Sequence, residues 1–422
     1  MRFEFRTAVV FFALTAMFVL GAGQARGSGF GIYEWSARGN ALGGTLVGRA
    51  DDASAVAYNP AGMTQLNGTQ AMAGLSGINP QVDVVTKNGG ETETTAGKNN
   101  IWLPPHAYLT TQLGKRYWLG VGIFSRYGLG TEYPDDWAGR YNTTYAGINS
   151  VSVNPNLGIK LTEDLSFAVG VEAMWFEFTK ENYIDPAKYT LPGTPFKSKL
   201  KGDSVGYGFD AAVHYTPTEW LKMGVIYRSE VTQNVRGDAE FSTKDQPEEV
   251  QDAFPDGGAH GDITLPDSWT MGVAVYPLDN LSIEADAVRT GWSSYEELTM
   301  NYDKGILGQP STTTPKEWED TWRLQFGAEY SINEMWDIRA SYVYDESPIP
   351  DKTVDYMVPA NDRQLYGLGT GLHWDNWTVD LSYTYLVIKD RDVNARDDDN
   401  ILDGEFKNGY SHIAGLSVGY KF

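Results

Sequence analysis

The sequence has 422 residues, no cysteine and a formal net charge of −22. The absence of cysteine excludes disulfides, zinc–thiolate sites and a cysteine nucleophile, and the acidic balance argues against nucleic acid as a partner. The length exceeds one ordinary soluble core and suits one large barrel, while a mean hydropathy of −0.36 argues against a bundle of membrane helices.

Residues 1–27 have the layout of a secretory signal peptide. Two arginines precede an apolar run over residues 7–20, and small residues follow it, with cleavage predicted before Ser28 or, as an alternative, after Ala25. The apolar run is shorter than the ~20 residues that a spanning helix needs. Its removal changes the net charge from −22 to −24, because three arginines and one glutamate leave with it.

Residues 28–66 are rich in glycine, alanine and serine and show no sustained period of 2 or 3.6. A segment with so little apolar periodicity would not build a core of its own. It precedes the first predicted strand, and we predict that it plugs the structure formed by the remaining chain.

Residues 67–422 alternate between apolar and polar side chains, as in 165–177 and 377–387. Successive strand side chains point to opposite faces, so each segment has one apolar and one polar face. Fourteen segments are predicted as strands, near 68–79, 100–112, 117–127, 147–160, 165–180, 200–215, 220–233, 261–276, 281–291, 320–332, 336–346, 362–373, 377–389 and 409–422.

The connections alternate between short turns and long loops, and many apolar faces begin or end in tryptophan or tyrosine. With an even strand count, this is typical of an outer-membrane barrel, and it disfavours a soluble sandwich. A barrel of this size is too wide for its own side chains to fill. We therefore predict an all-β protein, a 14-stranded antiparallel transmembrane β-barrel (67–422) plugged by an N-terminal hatch (28–66) behind a signal peptide (1–27).

The last predicted strand ends in Phe422. A final aromatic strand ending in phenylalanine looks like the signature by which outer-membrane barrels are assembled. We therefore expect the barrel-assembly machinery as a partner through Phe422, a monomeric state, and a location in the outer membrane in contact with its lipid.

The mature N-terminus reads GFGIYEWSARGNALGGTLVGRADDASAVAYNPAGM, and SRYGLGTEYPDDWAG, LPDSWTMG and WEDTWRLQFGAEY follow further along. These stretches resemble the FadL family of outer-membrane transporters for long-chain fatty acids and other hydrophobic compounds. The resemblance implies passive, energy-independent uptake. A ligand is captured among extracellular loops, moves to a pocket in the barrel, and leaves sideways into the membrane at a kink in the third strand when the hatch shifts.

The resemblance places the working parts on particular residues. They are the hatch motif Asn59, Pro60 and Ala61, and the kink at Tyr127, Gly128, Leu129 and Gly130. Glycine weakens strand pairing and permits a bend, so we expect the hatch motif to face Gly128, and bulky residues at Gly128 and Gly130 to block uptake. Alternatively, the two glycines only end the strand.

The capture groove is expected in the loops 181–199 and 234–260. Its candidate residues are Tyr189, Leu191, Pro192, Phe196, Phe241 and Phe254. Burial of an alkyl ligand is favourable by roughly 0.8 kcal/mol per CH₂, so such a groove needs little polar chemistry. Packing of these loops on themselves is the alternative.

The head-group site departs from the family pattern. Where fatty-acid members carry basic residues, this chain has Asn182 and Glu319, although Lys180 or Lys316 could replace them. Without such a replacement the ligand would be neutral, such as an aromatic or alkyl hydrocarbon. The partner is thus a hydrophobic small molecule, either fatty acid or hydrocarbon.

Three other functions remain as alternatives. A nonspecific porin would not need the N-terminal plug, and a barrel hydrolase would need a nucleophile beside its five scattered histidines, so we expect no catalytic residue and no cofactor. The acidic stretch 390–403 offers oxygen ligands for Ca²⁺, but its spacing is not that of an EF-hand, and we expect no metal site.

Overall fold

The computed structural model of the protein describes residues 29–422, and the predicted signal peptide lies outside this range. No helix within these residues is long and apolar enough to cross a bilayer. The helices are α1 (Ala37–Ala41), α2 (Ala55–Tyr58) and α3 (Glu248–Ala253), with 3₁₀ turns at Pro60–Gln65, Pro186–Tyr189 and Trp292–Ser294. The strands are β1 (Thr69–Asn88), β2 (Glu91–Ala96), β3 (Pro105–Leu113), β4 (Tyr117–Phe124), β5 (Gly128–Glu132), β6 (Tyr145–Lys160), β7 (Leu165–Ile184), β8 (Phe196–Thr218), β9 (Leu221–Arg228), β10 (Val231–Phe241), β11 (Gly257–Leu265), β12 (Ser268–Leu278), β13 (Leu281–Thr290), β14 (Glu297–Ile306), β15 (Gln309–Pro315), β16 (Thr321–Ser331), β17 (Trp336–Asp345), β18 (Arg363–Trp374), β19 (Trp377–Ile388), β20 (Arg391–Val393) and β21 (Asp403–Lys421).

These strands form one closed antiparallel barrel. β1 pairs with β3 on one side and with β21 on the other, and the Phe422 N–H donates to the Thr69 carbonyl at 2.9 Å. Five barrel strands are each split into two halves, namely β4 with β5, β9 with β10, β11 with β12, β13 with β14 and β15 with β16, while β2 and β20 extend the outer ends of β1 and β21. The wall therefore has fourteen strands, which confirms the predicted fold.

The alternating sequence pattern sets the two faces of the wall. On β13, Ser282, Glu284 and Asp286 are buried toward the lumen, and the apolar residues between them face outward. Trp374 and Trp377 pair across a short turn and are exposed at one end of the barrel. Exposed tryptophans recur toward the other end, which gives the wall two aromatic borders around an apolar band.

Residues 29–66, called the N-terminal segment below, lie inside this barrel. Helix α1 contacts β18, β19 and β21, and the turn Pro60–Gln65 contacts β6, β7 and β8 on the other side. Within α1 the Ser36 hydroxyl accepts from the Gly39 N–H at 2.9 Å, a side-chain cap that starts the helix. The wide lumen is thus occupied by the small, compactly folded chain that precedes β1.

Candidate functional site

The N-terminal segment fits against glycines of the barrel wall. A Cβ at Gly224 would collide with the Val47 carbonyl, and one at Gly327 would collide with Thr45. Glycine inside a strand marks a site where another backbone approaches closely. Wall and segment are therefore shaped for each other.

A fully buried arginine anchors the middle of the segment. Arg49 donates to a Glu284 carboxylate oxygen at 3.1 Å and to the Gly327 carbonyl at 3.0 Å. The Glu284 carboxylate also accepts from the Gly48 N–H at 2.6 Å. Removing one member of such a pair leaves an uncompensated buried charge, so this contact holds the segment to β13 and β16.

A second arginine anchors helix α1. Arg38 makes two hydrogen bonds to the Glu329 carboxylate at 2.7 and 2.9 Å, and it also bonds Asp51 at 2.7 Å and Asp52 at 2.9 Å. Glu329 in turn accepts from Arg339 of β17 at 2.6 Å. Side chains of the wall and of the segment thus form one charge network.

The third barrel strand is interrupted where the sequence predicted a kink. Its pairing with β3 ends at Ala107 and Ile123, and the strand resumes at Gly128 as β5, which pairs with β6. Between the halves, Arg126 turns inward to a buried ion pair with Glu172 at 2.6 Å. The ladder between the second and third strands is therefore open above Ala107.

The first described residues of the N-terminal segment cover this opening from inside. Gly31 forms an antiparallel bridge with Tyr127, the Gly128 N–H donates to the Phe30 carbonyl at 2.9 Å, and the Ile32 N–H donates to the Arg126 carbonyl at 2.8 Å. A Cβ at Gly128 would collide with the end of the Ile32 side chain. Backbone groups at the interruption are thereby satisfied by the segment.

The predicted contact between Asn59-Pro60-Ala61 and Gly128 is wrong. The Asn59 amide donates to the carbonyls of Val47 at 2.8 Å and Val213 at 3.1 Å, and its oxygen accepts from the Ala61 N–H at 3.1 Å. The asparagine caps the 3₁₀ turn that Pro60 begins, and the turn packs on the wall at β8. Ile32, which the sequence analysis did not single out, takes the place facing Gly128.

A cavity of about 340 Å³ lies behind the opening. Its lining joins the N-terminal segment, the third strand and an extracellular loop, through Phe30, Ile32, Trp102, Tyr127, Leu129 and Val358. Phe30 continues this lining into an aromatic group, with its ring centroid 4.8 Å from that of Trp292 and 5.4 Å from that of Trp318. The upper lumen thus offers an apolar path that leads to the third strand.

The predicted capture residues come together in the loops, with one exception. The Phe254 ring lies 5.2 Å from that of Phe196, 5.8 Å from that of Phe241 and 5.8 Å from that of Tyr189. Leu191 packs against this group, whereas Pro192 is exposed. Phe196, Phe241 and Phe254 are themselves buried, so the group is a packed cluster with Tyr189 at its exposed edge.

The predicted head-group amines lie near one carboxylate. Lys316 is buried and donates to Asp355 at 2.5 Å, and Lys180 interacts electrostatically with both. Burial lowers the pKa of the Lys316 ammonium, but the Asp355 charge outweighs this and raises that pKa above its ordinary value. Burial likewise raises the pKa of Asp355, and the Lys316 charge reverses this and lowers it. Both groups therefore stay charged, while the Asn182 amide donates to the Tyr141 carbonyl at 3.3 Å.

Neither the histidines nor the acidic loop forms a recognisable reactive centre within residues 29–422. His106 lies 2.8 Å from the Ser417 hydroxyl, but its Nδ1 atom is buried without a partner in the described chain. No group of three or more histidine or carboxylate side chains among these residues is placed to hold a metal. In the acidic loop, the Lys188 ammonium binds the Asp397 carbonyl at 2.7 Å.

Residues 18–422 match the model of a family described as outer membrane protein transport protein (OMPP1/FadL/TodX). The chain belongs to this family. A long-chain fatty acid transport protein of Escherichia coli O6:H1 is 28% identical over 408 residues, which are 89% of this chain and 90% of that protein. The predicted resemblance to FadL and the predicted outer-membrane location are confirmed.

Solved structures of family members share the fold. A FadL homologue of Pseudomonas aeruginosa superposes with a TM-score of 0.84 at 19% identity, over 94% of this chain and 100% of that one. The Ralstonia pickettii toluene transporter TbuX gives a TM-score of 0.71 at 18% identity, over 93% and 100% of the two chains. The protein is thus a FadL-type outer-membrane transport barrel.

Replacing Arg49 by methionine keeps the length of the side chain but leaves Glu284 with an uncompensated buried charge. We expect a loss of about 3–5 kcal/mol in the docking of the N-terminal segment, with the barrel still assembled. Single-channel conductance in planar bilayers should therefore rise above that of the wild type. The matched control is Lys222→Met, because Lys222 is partly exposed and bonds Gln65 of the same segment. Wild-type conductance in Arg49→Met would contradict the anchoring role.

Proposed function

We propose that the protein carries hydrophobic molecules passively from the cell exterior into the outer membrane through the opening between its second and third strands. The observation that carries this proposal is the interrupted ladder above Ala107, with an apolar cavity directly behind it. Unpaired backbone in lipid is costly, so an interruption persists only where other protein covers it. A cover made of a few residues is also one that can move.

The route begins at the loops. Captured ligand would bind at the exposed edge of the aromatic cluster around Tyr189 and pass to the aromatic lining near Phe30. Each buried CH₂ contributes roughly 0.8 kcal/mol, so affinity can rise along this path without polar contacts. The alternating capture and release need no energy source, because the ligand partitions favourably into lipid at the end.

We assign the gating movement to residues 29–32 and the fixed part of the hatch to Asn59-Pro60-Ala61. Residues 29–32 are held at the third strand by the two backbone hydrogen bonds to Arg126 and Gly128 described above. Residues 59–61 are fully buried and bonded to the wall. A shift of the first residues alone would open the cavity while the plug stays in the barrel.

The ligand class follows from the family names together with the charges of the loop site. The relatives above are named for long-chain fatty acid and toluene transport. Here Asp355 already pairs with Lys316, so a fatty-acid carboxylate would compete with an internal carboxylate for this amine. We propose that neutral hydrophobic molecules pass at least as well as fatty acids.

Several further expectations belong to this proposal. The chain acts as a transporter without catalysis, as a monomer, after removal of residues 1–27. Phe422 is exposed at the end of the last strand, where an assembly factor can reach it. Deleting residues 28–66 should raise the conductance strongly; an unchanged, already large conductance would favour the porin alternative.

The side exit is tested by Gly128→Trp. The indole would fill the opening where Ile32 now lies, so uptake of oleate, methyl oleate and toluene into cells should fall at least tenfold. Ligand binding to the purified protein, measured by calorimetry, should remain. Gly77→Trp is the matched control, because Gly77 lies on the lipid face of β1 beside the same opening. Normal uptake by assembled Gly128→Trp would refute the side exit.

The head-group role of Lys316 is tested by Asp355→Asn. The substitution leaves the buried ammonium without its carboxylate, and a fatty-acid carboxylate can then pair with it. A hydrogen bond to a charged group contributes about 1.5–3 kcal/mol, so oleate affinity should rise at least tenfold, with methyl oleate and toluene unchanged. Asp351→Asn is the control on the same loop, since Asp351 is 82% exposed. An equal change for oleate and its ester would rule out the head-group role.

A further inference from the structure

Residues 97–104, called the flap below, cross the opening between the second and third strands. The flap is joined to β1 through paired hydrogen bonds between Ile78 and Trp102 at 2.8 and 2.9 Å. It is joined to β5 through the Lys98 N–H, which donates to the Glu132 carbonyl at 2.7 Å. The flap therefore spans the gap from the near side to the far side.

The flap has an apolar outer face and one large side chain pointing inward. Ile101 and Leu103 are 68% and 61% exposed on the outer face, which lies on the membrane side. Trp102 between them is partly buried and lines the cavity. A Cβ at Gly130 would collide with its indole ring, so the indole rests directly on the backbone of β5.

The indole is not held there by a polar contact. Its Nε1 atom is buried and has no hydrogen-bond partner in the described chain. A buried indole N–H normally finds an acceptor, and tryptophan is favoured at membrane interfaces, where its ring is in lipid and its N–H meets water. Movement of the ring outward to that interface would give the N–H its missing partner.

The far end of the flap is fastened by exposed polar contacts. Glu132 accepts from the Lys98 ammonium at 2.8 Å and from the Asn100 amide at 2.7 Å. Exposed pairs of this kind contribute little to stability. The fastening on β5 is therefore weaker than the backbone pairing on β1, and the flap can release at one end.

We propose that the flap is an outer gate of the side exit and that Trp102 is the side chain that closes it. This inference rests on the proposed side exit and adds a second barrier to it: Ile32 closes the opening at Gly128 from inside, and Trp102 closes it at Gly130 from the membrane side. A ligand enters the lipid when the indole leaves Gly130. Gly130 is thus already covered by Trp102 in the closed state.

The first test fastens the flap with a disulfide between Lys98→Cys and Glu132→Cys. The chain has no cysteine, so the two introduced thiols can pair only with each other. Oxidation should reduce methyl oleate uptake at least tenfold, and a reductant should restore it. The matched control is the pair Leu372→Cys and Val379→Cys, which face each other on β18 and β19 in the continuous wall. Equal uptake in the oxidised and reduced flap pair would overturn the proposal.

The second test removes the gate side chain. Trp102→Ala should raise the initial rate of methyl oleate uptake at least threefold, and Trp102→Phe should raise it less, while ligand affinity stays unchanged. Trp269→Ala is the control, because Trp269 is an exposed tryptophan on β12 that does not line the cavity. Heat-modifiable electrophoretic mobility reports whether each barrel is assembled. An assembled Trp102→Ala variant with the wild-type rate would contradict the gate.

The outcomes separate this inference from the function on which it rests. If the wild type takes up none of the three probes, or Gly128→Trp leaves uptake intact, the side exit itself fails. If the wild type transports and Gly128→Trp blocks, but neither the disulfide nor Trp102→Ala changes the rate, only the flap is refuted. A rate that falls on oxidation and rises in Trp102→Ala supports both.

Discussion

The structure depends on one constraint, which is that backbone N–H and C=O groups in hydrocarbon must be paired within the protein. A closed ladder meets it, and here the ring closes where β21 meets β1 over most of their length. The same constraint makes the interruption at residues 125–127 informative. There the groups that the wall leaves open are taken up by residues 30 and 32 of the N-terminal segment, so the opening can exist only together with its cover.

Closure at fourteen strands creates the second requirement, because the lumen is wider than the wall side chains can fill. The chain fills it with its own start, and the fit depends on missing side chains at Gly224 and Gly327 as much as on present ones. The buried charges then fix the position. Arg49 is completely enclosed and would be costly to move, whereas residues 30–32 rest on two backbone contacts. Stability is thus unevenly distributed along one short segment, with its firm part deep in the barrel and its loose part at the exit.

Much of this could be predicted from the sequence, because period-2 alternation and alternating loop lengths are local patterns. They indicated fourteen strands, and the glycines at 128 and 130 indicated the kink. The partner of Gly128 could not be predicted in the same way, since it depends on how a segment without periodicity folds inside the lumen. Asn59-Pro60 was rightly a turn signal, but its partners are the carbonyls of Val47 and Val213. The contact of Trp102 with Gly130 was hidden because Trp102 fell inside a predicted strand, where its inward alternation reads like any other wall residue.

The unequal hold on the two sides of the exit suggests why such a barrel can pass a large apolar molecule without becoming a pore. Opening the exit requires loss of a few contacts at Gly128 and Gly130, and the lost surface is replaced by ligand and then by lipid, both apolar. Opening a vertical channel would require removal of Arg49 from Glu284 and of Arg38 from Glu329, which exposes paired charges and breaks the fit to the wall glycines. The lower-energy path therefore runs sideways, and the route of transport follows from where the buried charges lie.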